Sequence, residues 1–188
     1  MPDEISHLLW TYLALKHPSV KNKPDFKTAR GKLAMYFFSM LPDLGNLIML
    51  LILMTVLESQ GLPLVMGPDA VHNPQVQALV MGPLRNIYYV FHSFISYFVL
   101  VALSYFIMRR IYWPLALGMG MHLTLDLLTH ADLYAIEPLY PLIDVKVNGF
   151  LQWGSWTFYL IEAAIFLVYT IWLFRRTHRT AEPKSNVM

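Results

Sequence analysis

The sequence predicts an all-α protein: a polytopic integral membrane helical bundle of about four transmembrane helices, with a short N-terminal helix dipping into the membrane. Three observations predict it. Hydrophobic residues make up 56% of the 188 positions and charged residues only 14%, where a soluble domain carries about a quarter charged residues. Four segments approach or exceed the run of about 20 apolar residues that crosses a bilayer. Most of the basic residues flank those segments at ends that an even number of spans puts on one side, as the positive-inside rule requires of a polytopic chain.

Each element follows in order. Ile5–Leu15 is helix-like but too short to span. Leu33–Leu57 is the first span. Ile87–Met108 is the second and stops at Arg109-Arg110. Trp113–Thr129 is the third, short but extendable at either end. Gln152–Phe174 is the fourth and stops at Arg175-Arg176. Glu58–Leu84, rich in Gly and Pro, and His130–Gly149 read as ordered loops. Residues 1–177 are expected to form one membrane-embedded domain, and 178–188 a flexible cytoplasmic tail. There is no internal repeat. The chain has no cysteine, which excludes disulfides, thiolate metal sites and cysteine nucleophiles. No secretory signal is expected, because Asp3 and Glu4 stand where a basic leader would begin. A net charge of +2 gives no bulk attraction to nucleic acid.

Twelve of the fourteen Lys and Arg fall in Lys16–Lys32, at Arg109-Arg110, or after the fourth span, and an even number of spans puts all three groups on one side. That side is read as cytoplasmic, in the inner membrane. Only Arg85 and Lys146 fall opposite. Trp113, Trp153 and Trp156 stand near span ends, as an aromatic belt places them.

The chemistry lies in polar residues within apolar segments, where a charge costs several kcal/mol and ordinarily has a partner and a purpose. They are Asp43, His92, His122, Asp126 and Glu162. His122 and Asp126 stand four apart and share a helix face. At about 1.5 Å of rise per residue, Asp43 lies roughly 16 Å from Lys32, His122 roughly 18 Å from Arg110, and Glu162 roughly 20 Å from Arg175. His92 and Asp126 lie roughly 24–26 Å in, and His7 roughly 14 Å in, on the same rise. They converge near one layer. A lone intramembrane His or Asp ordinarily makes an interhelical hydrogen bond; a convergent set of imidazoles and carboxylates without thiolate suits a divalent metal, Zn²⁺ first, Mn²⁺ or Fe²⁺ otherwise. The expected ligands are His7, Asp43, His92, His122 and Asp126, with Ser93 and Thr129 behind them. Asp126 or Glu162 is the expected general base, and His130 meets the leaving group. His17, His72 and His178 read as solvated, and Met49, Met54, Tyr97, Tyr105 and Phe106 as packing.

These residues also form motifs. Leu41-Pro42-Asp43-Leu44, Phe91-His92-Ser93, the run Gly118-x-Gly120-x-His122-x-x-x-Asp126-x-x-Thr129-His130, and Pro138-Leu139-Tyr140-Pro141-Leu142 stand in that order. Together with His7, this pattern resembles the predicted membrane-bound metal-dependent hydrolases over about residues 5–145. The sequence departs from the family where Gly45 stands at its second acidic position and Tyr88-Tyr89-Val90 in place of its HRG. The resemblance implies a metal-dependent hydrolase.

The expected activity is therefore cleavage of an ester or phosphoester bond, with membrane lipids as partners and a lipid-like or phosphoester substrate; the oligomeric state is open. Two other classes fit the same residues. An ion or metal transporter would line a path with them, although the polar stripes converge in one layer and do not cross the bilayer. A structural or regulatory membrane protein would use them only to lock helices together.

Overall fold

Seven α-helices and a 3₁₀ turn carry the fold in the computed structural model, which describes residues 2–59, 61, 78, 82–131, 135–152 and 155–179. They are α1 (Pro2–Lys16), α2 (Pro18–Lys21), α3 (Ala29–Ser59), α4 (Pro83–Phe91), α5 (Phe94–Met108), α6 (Trp113–Thr129) and α7 (Trp156–Arg179), with the 3₁₀ turn at Pro24–Lys27. Among the described residues the only β-pairing is a single bridge, Ile136 to Val147. Most of the Glu58–Leu84 loop with His72, Trp153, the His178 side chain and residues 180–188 lie outside the described residues. α7 runs to Arg179, so the helix extends into what the sequence reads as tail.

Among the described residues two helices are long and apolar enough to cross a membrane: α3, with 31 residues, and Trp156–Arg176 of α7. The second expected span is not one rod. It breaks at His92-Ser93, and α4 and α5 meet there at 55°. The break is local chemistry. Ser93 is extended (φ −102°, ψ 136°) and its hydroxyl accepts the Ile95 N–H at 3.0 Å, capping α5. The His92 N–H donates to the Tyr88 carbonyl and closes α4. Taken as one bent element, the pair brings the number of candidate spans to three. Large apolar side chains stand outward on these helices, among them Phe98, Ile107 and Leu160. A surface this apolar suits a membrane.

α6 occupies the predicted interval, yet it is the centre of the bundle. Its 17 residues are too few to count with α3 and α7. Pro114, Leu115, Gly118, Met119, His122, Leu123, Asp126 and Thr129 are buried. It packs most extensively on α3. Gly118 permits that approach: a Cβ there would stand 2.6 Å from the Met35 carbonyl oxygen and 3.0 Å from the Ser39 nitrogen. Gly45 does the same between α3 and α4, since a Cβ would lie 2.8 Å from the Phe91 ring. A side chain at 45 would therefore press on Phe91, the last residue of α4.

α1 lies against α3 and α6 and buries Ser6, His7, Thr11, Leu13 and Leu15. Leu15 joins Phe26 and Met35 in a small apolar core. Buried Asp25 ties this region to the α5–α6 turn. Its carboxylate accepts from Arg110 Nη1 at 2.6 Å and from the Trp113 N–H at 3.3 Å. His17, expected in solvent, is half-buried: its Nδ1 accepts the Ser19 N–H and its ring stacks on Trp172 at 5.5 Å.

Candidate metal centre

Four pieces of chain deliver side chains to one point beneath α1. α1 contributes His7, α3 Asp43, the α4–α5 break His92, and α6 His122 and Asp126, with His130 just after its end. Asp126 is the hub. Its Oδ2 lies 3.0 Å from His122 Nε2 and 3.4 Å from His92 Nε2; its Oδ1 lies 3.2 Å from His7 Nε2 and 3.6 Å from His130 Nδ1. Asp43 Oδ1 completes the group at 3.8 Å from His122 Nε2 and 3.9 Å from His92 Nε2. Each Asp126 oxygen thus faces two imidazoles.

Local structure orients two of these rings through the backbone. His122 Nδ1 lies 2.6 Å from the Ser39 carbonyl oxygen and His92 Nδ1 lies 3.0 Å from the Tyr88 carbonyl oxygen. A carbonyl only accepts, so in both rings Nδ1 carries the donated proton. Neutral imidazoles in that tautomer turn a bare Nε2 lone pair toward Asp126, which is itself an acceptor. Lone pairs facing a carboxylate across 3.0–3.4 Å repel unless a cation stands between them. The alternative is an Nε2 proton on His122 or His92 shared with Asp126; at His122 the charged ring would lie face to face with the His7 ring, 3.7 Å away at 17°. His122 Nε2 and both Asp126 oxygens are buried and meet no hydrogen-bond partner outside this cluster.

Separation supports the same conclusion. Two ligands about 2.1 Å from one ion at octahedral or tetrahedral angles stand about 3.0–3.4 Å apart. The nitrogen-to-Asp126 separations of 3.0–3.6 Å fall at or near that spacing. Two sets, His7–His122–Asp126 and Asp43–His92–His122, hold ligand atoms all within 4.8 Å of one another, and these buried His/Asp groups can hold a metal ion. Backbone carbonyls on the far ring nitrogens are the partners that metal-ligating histidines ordinarily have.

The five expected ligands are brought together. His130 joins them, and Thr129 Oγ1 lies 3.2 Å from its Nδ1 while also donating to the Leu125 carbonyl. Ser93 does not back a ligand. Besides capping α5, it donates to the Tyr140 carbonyl at 2.5 Å, while the Phe94 N–H donates to the Pro138 carbonyl at 2.9 Å, which latches the Pro138–Leu142 loop to the break. Glu162 is not delivered to the cluster as a base or a ligand partner. Its Oε2 accepts from Ser6 Oγ at 2.8 Å and its Oε1 from Trp10 Nε1 at 3.1 Å, so it fastens α7 to α1. The physical reason is helix register: Ser6 and Trp10 stand one turn apart and offer two donors to one carboxylate. Asp43 is the most open of the five ligands, with 18% of its side chain exposed against 2% or less for the others.

The Ser39 and Tyr88 carbonyls, which set both tautomers, carry no side-chain signal and escape a sequence reading. Glu137, buried and hydrogen-bonded to the Tyr89 side chain, escaped it as well. Its only hint is a carboxylate next to the Pro138–Leu142 motif. No family model matches the chain, and no curated protein or solved structure matches it.

Proposed function

We propose that this protein is a membrane-embedded, divalent-metal-dependent hydrolase that cleaves an ester or phosphoester bond of a lipid substrate. The observation that carries the reading is the set of inward Nε2 lone pairs around a doubly shared, buried carboxylate. His92, His122 and Asp126 would hold the ion, with Asp43 at its edge and His7 and His130 on the other oxygen of Asp126; zinc fits this nitrogen and oxygen set best, and manganese or iron would also bind it. A divalent ion held there would supply a Lewis acid and would lower the pKa of a bound water toward neutrality.

The chain's own residues do the rest. The Ser39 and Tyr88 carbonyls keep His122 and His92 in the ligating tautomer. Burial under α1 would limit the access of bulk water, and Asp43, the most exposed of the group, would accept the proton of an attacking water. His130, beside Thr129 and Asp126, would return a proton to the leaving group. A centre this deep, ringed by helices with apolar exteriors, favours a substrate that enters from lipid. The third span of this reading is α6, shielded by its neighbours, and the basic end of the bundle would face the cytoplasm in the inner membrane.

The test is metal content and turnover measured together. Purified protein should carry divalent metal that both His122→Ala and Asp126→Ala lose while remaining folded. A panel of membrane lipids should yield a water-soluble product that chelator abolishes. Wild-type metal content in both folded variants would remove the site. Metal or proton flux in proteoliposomes without turnover would replace hydrolysis by transport.

A further inference from the structure

Arg85 and Lys146 are the two basic residues that stand apart from the other twelve, 61 positions from each other in the sequence. The fold brings them together. They line one cleft of about 510 Å³, formed by the first turns of α4 and by the segment that follows Ile136. That volume lies within the roughly 300–1,000 Å³ of small-molecule sites.

Its walls are held in place. The Val147 N–H donates to the Ile136 carbonyl at 2.9 Å, closing the segment at its base. Ser93 holds the Tyr140 carbonyl from the other side. Arg85 Nε donates to the Tyr89 hydroxyl, and Tyr89 is hydrogen-bonded in turn to Glu137. Glu137 and Asp144 line the same cleft. Two cations and two carboxylates therefore share it, one carboxylate buried and the other exposed.

That balance selects the ligand. A simple phosphate would satisfy Arg85 and Lys146 but stand beside two carboxylates of its own sign. A molecule with a phosphate at one end and an ammonium at the other satisfies both pairs. The cleft is also adjacent to the candidate metal centre: Tyr88, the neighbour of Tyr89, stacks on the His92 ring at 4.2 Å.

We propose that this cleft binds a zwitterionic aminophosphate headgroup, its phosphate toward Arg85 and Lys146 and its ammonium toward Asp144 and Glu137. Its role in catalysis, presenting the lipid's ester to the buried centre, rests on the hydrolase reading; headgroup binding does not.

Calorimetric titration of the purified full-length protein with glycerophosphoethanolamine, glycerol phosphate and inorganic phosphate tests it. Glycerophosphoethanolamine should bind about tenfold more tightly than either anion, the worth of one added charged hydrogen bond. Lys146→Glu and Asp144→Lys, both at exposed positions, should each weaken it about tenfold, while Asp126→Asn should leave it unchanged. Arg85→Gln should weaken it too, but Arg85 also braces Tyr89, so the exposed variants carry the test if that one misfolds. Equal affinity for all three probes, affinity unchanged in Lys146→Glu and Asp144→Lys, or no binding at all would overturn the proposal. The two readings fail separately. Headgroup binding without turnover of any lipid sinks hydrolysis and leaves the cleft, whereas turnover indifferent to headgroup and to Lys146→Glu sinks the cleft and leaves hydrolysis.

Discussion

Gly118→Ala tests how the candidate centre is positioned, because it adds one methyl group and touches no ligand. The new Cβ would stand 2.6 Å from the Met35 carbonyl oxygen, where ordinary contact begins near 3.4 Å. The obstacle is α3 backbone, so no side-chain rotation relieves it, and α6 must retreat from α3 by about 0.8 Å. His122 rides on α6 and the Ser39 carbonyl on α3. Their 2.6 Å hydrogen bond would open to a length at which little of it survives. Overpacking of this kind costs about 1–3 kcal/mol. Loss of a partner that orients a ligating histidine costs about 10–100-fold in metal affinity. Thermal unfolding in detergent and chelator-competition titration with Zn²⁺ would measure the two effects. Gly120→Ala is the control on another face of α6, since the nearest atoms to its Cβ would be the Tyr97 hydroxyl at 3.1 Å and ring carbons at 3.3 and 3.5 Å, the end of a side chain that can yield by a few tenths of an ångström where the Met35 carbonyl cannot. Helix propensity should make that change neutral or stabilising by up to about 1 kcal/mol. If Gly118→Ala matches wild type in both measurements, the α3–α6 crossing does not hold His122 in the way argued here.

Three further outcomes follow from other contacts. Glu162→Gln weakens two hydrogen bonds to a carboxylate and should lower unfolding stability by about 1–3 kcal/mol with metal content unchanged; a fall in metal content would return Glu162 to the site. Ser93→Ala removes the α5 cap and the loop latch, and should cost about 1 kcal/mol together with faster amide exchange at Leu139–Leu142; unchanged exchange there would mean that the latch does not hold the loop. Reporter tags at Lys23 and after Met188 should read cytoplasmic and a tag in Gly67–Asn73 external, and a cytoplasmic signal from that loop would reverse the proposed orientation.

The sequence by itself determined what local rules govern. Apolar runs of spanning length identify α3 and α7, because hydrophobicity summed over about 20 residues is a property of the segment alone. Spacing by four places His122 and Asp126 on one face, because helical geometry does not depend on neighbours. Residue chemistry nominated His7, Asp43 and His92 as companions, and the rise per residue placed them at similar depth. Depth says nothing about direction around a helix axis, and that is what tertiary structure decided. Glu162 has a suitable depth, yet it turns to Ser6 and Trp10 on α1. The 55° break at His92-Ser93 was hidden inside a continuous apolar run, because a serine that caps a helix and a serine within one look alike until the backbone is seen. The tautomers of His92 and His122 depend on carbonyls that every residue possesses, so only the α3–α6 crossing at Gly118 and the end of α4 could reveal them. Arg85 and Lys146 read singly as stray charges. Only the return of the chain after Ile136 makes them two sides of one cleft, because pairing across such a distance is a property of the fold and of no local pattern.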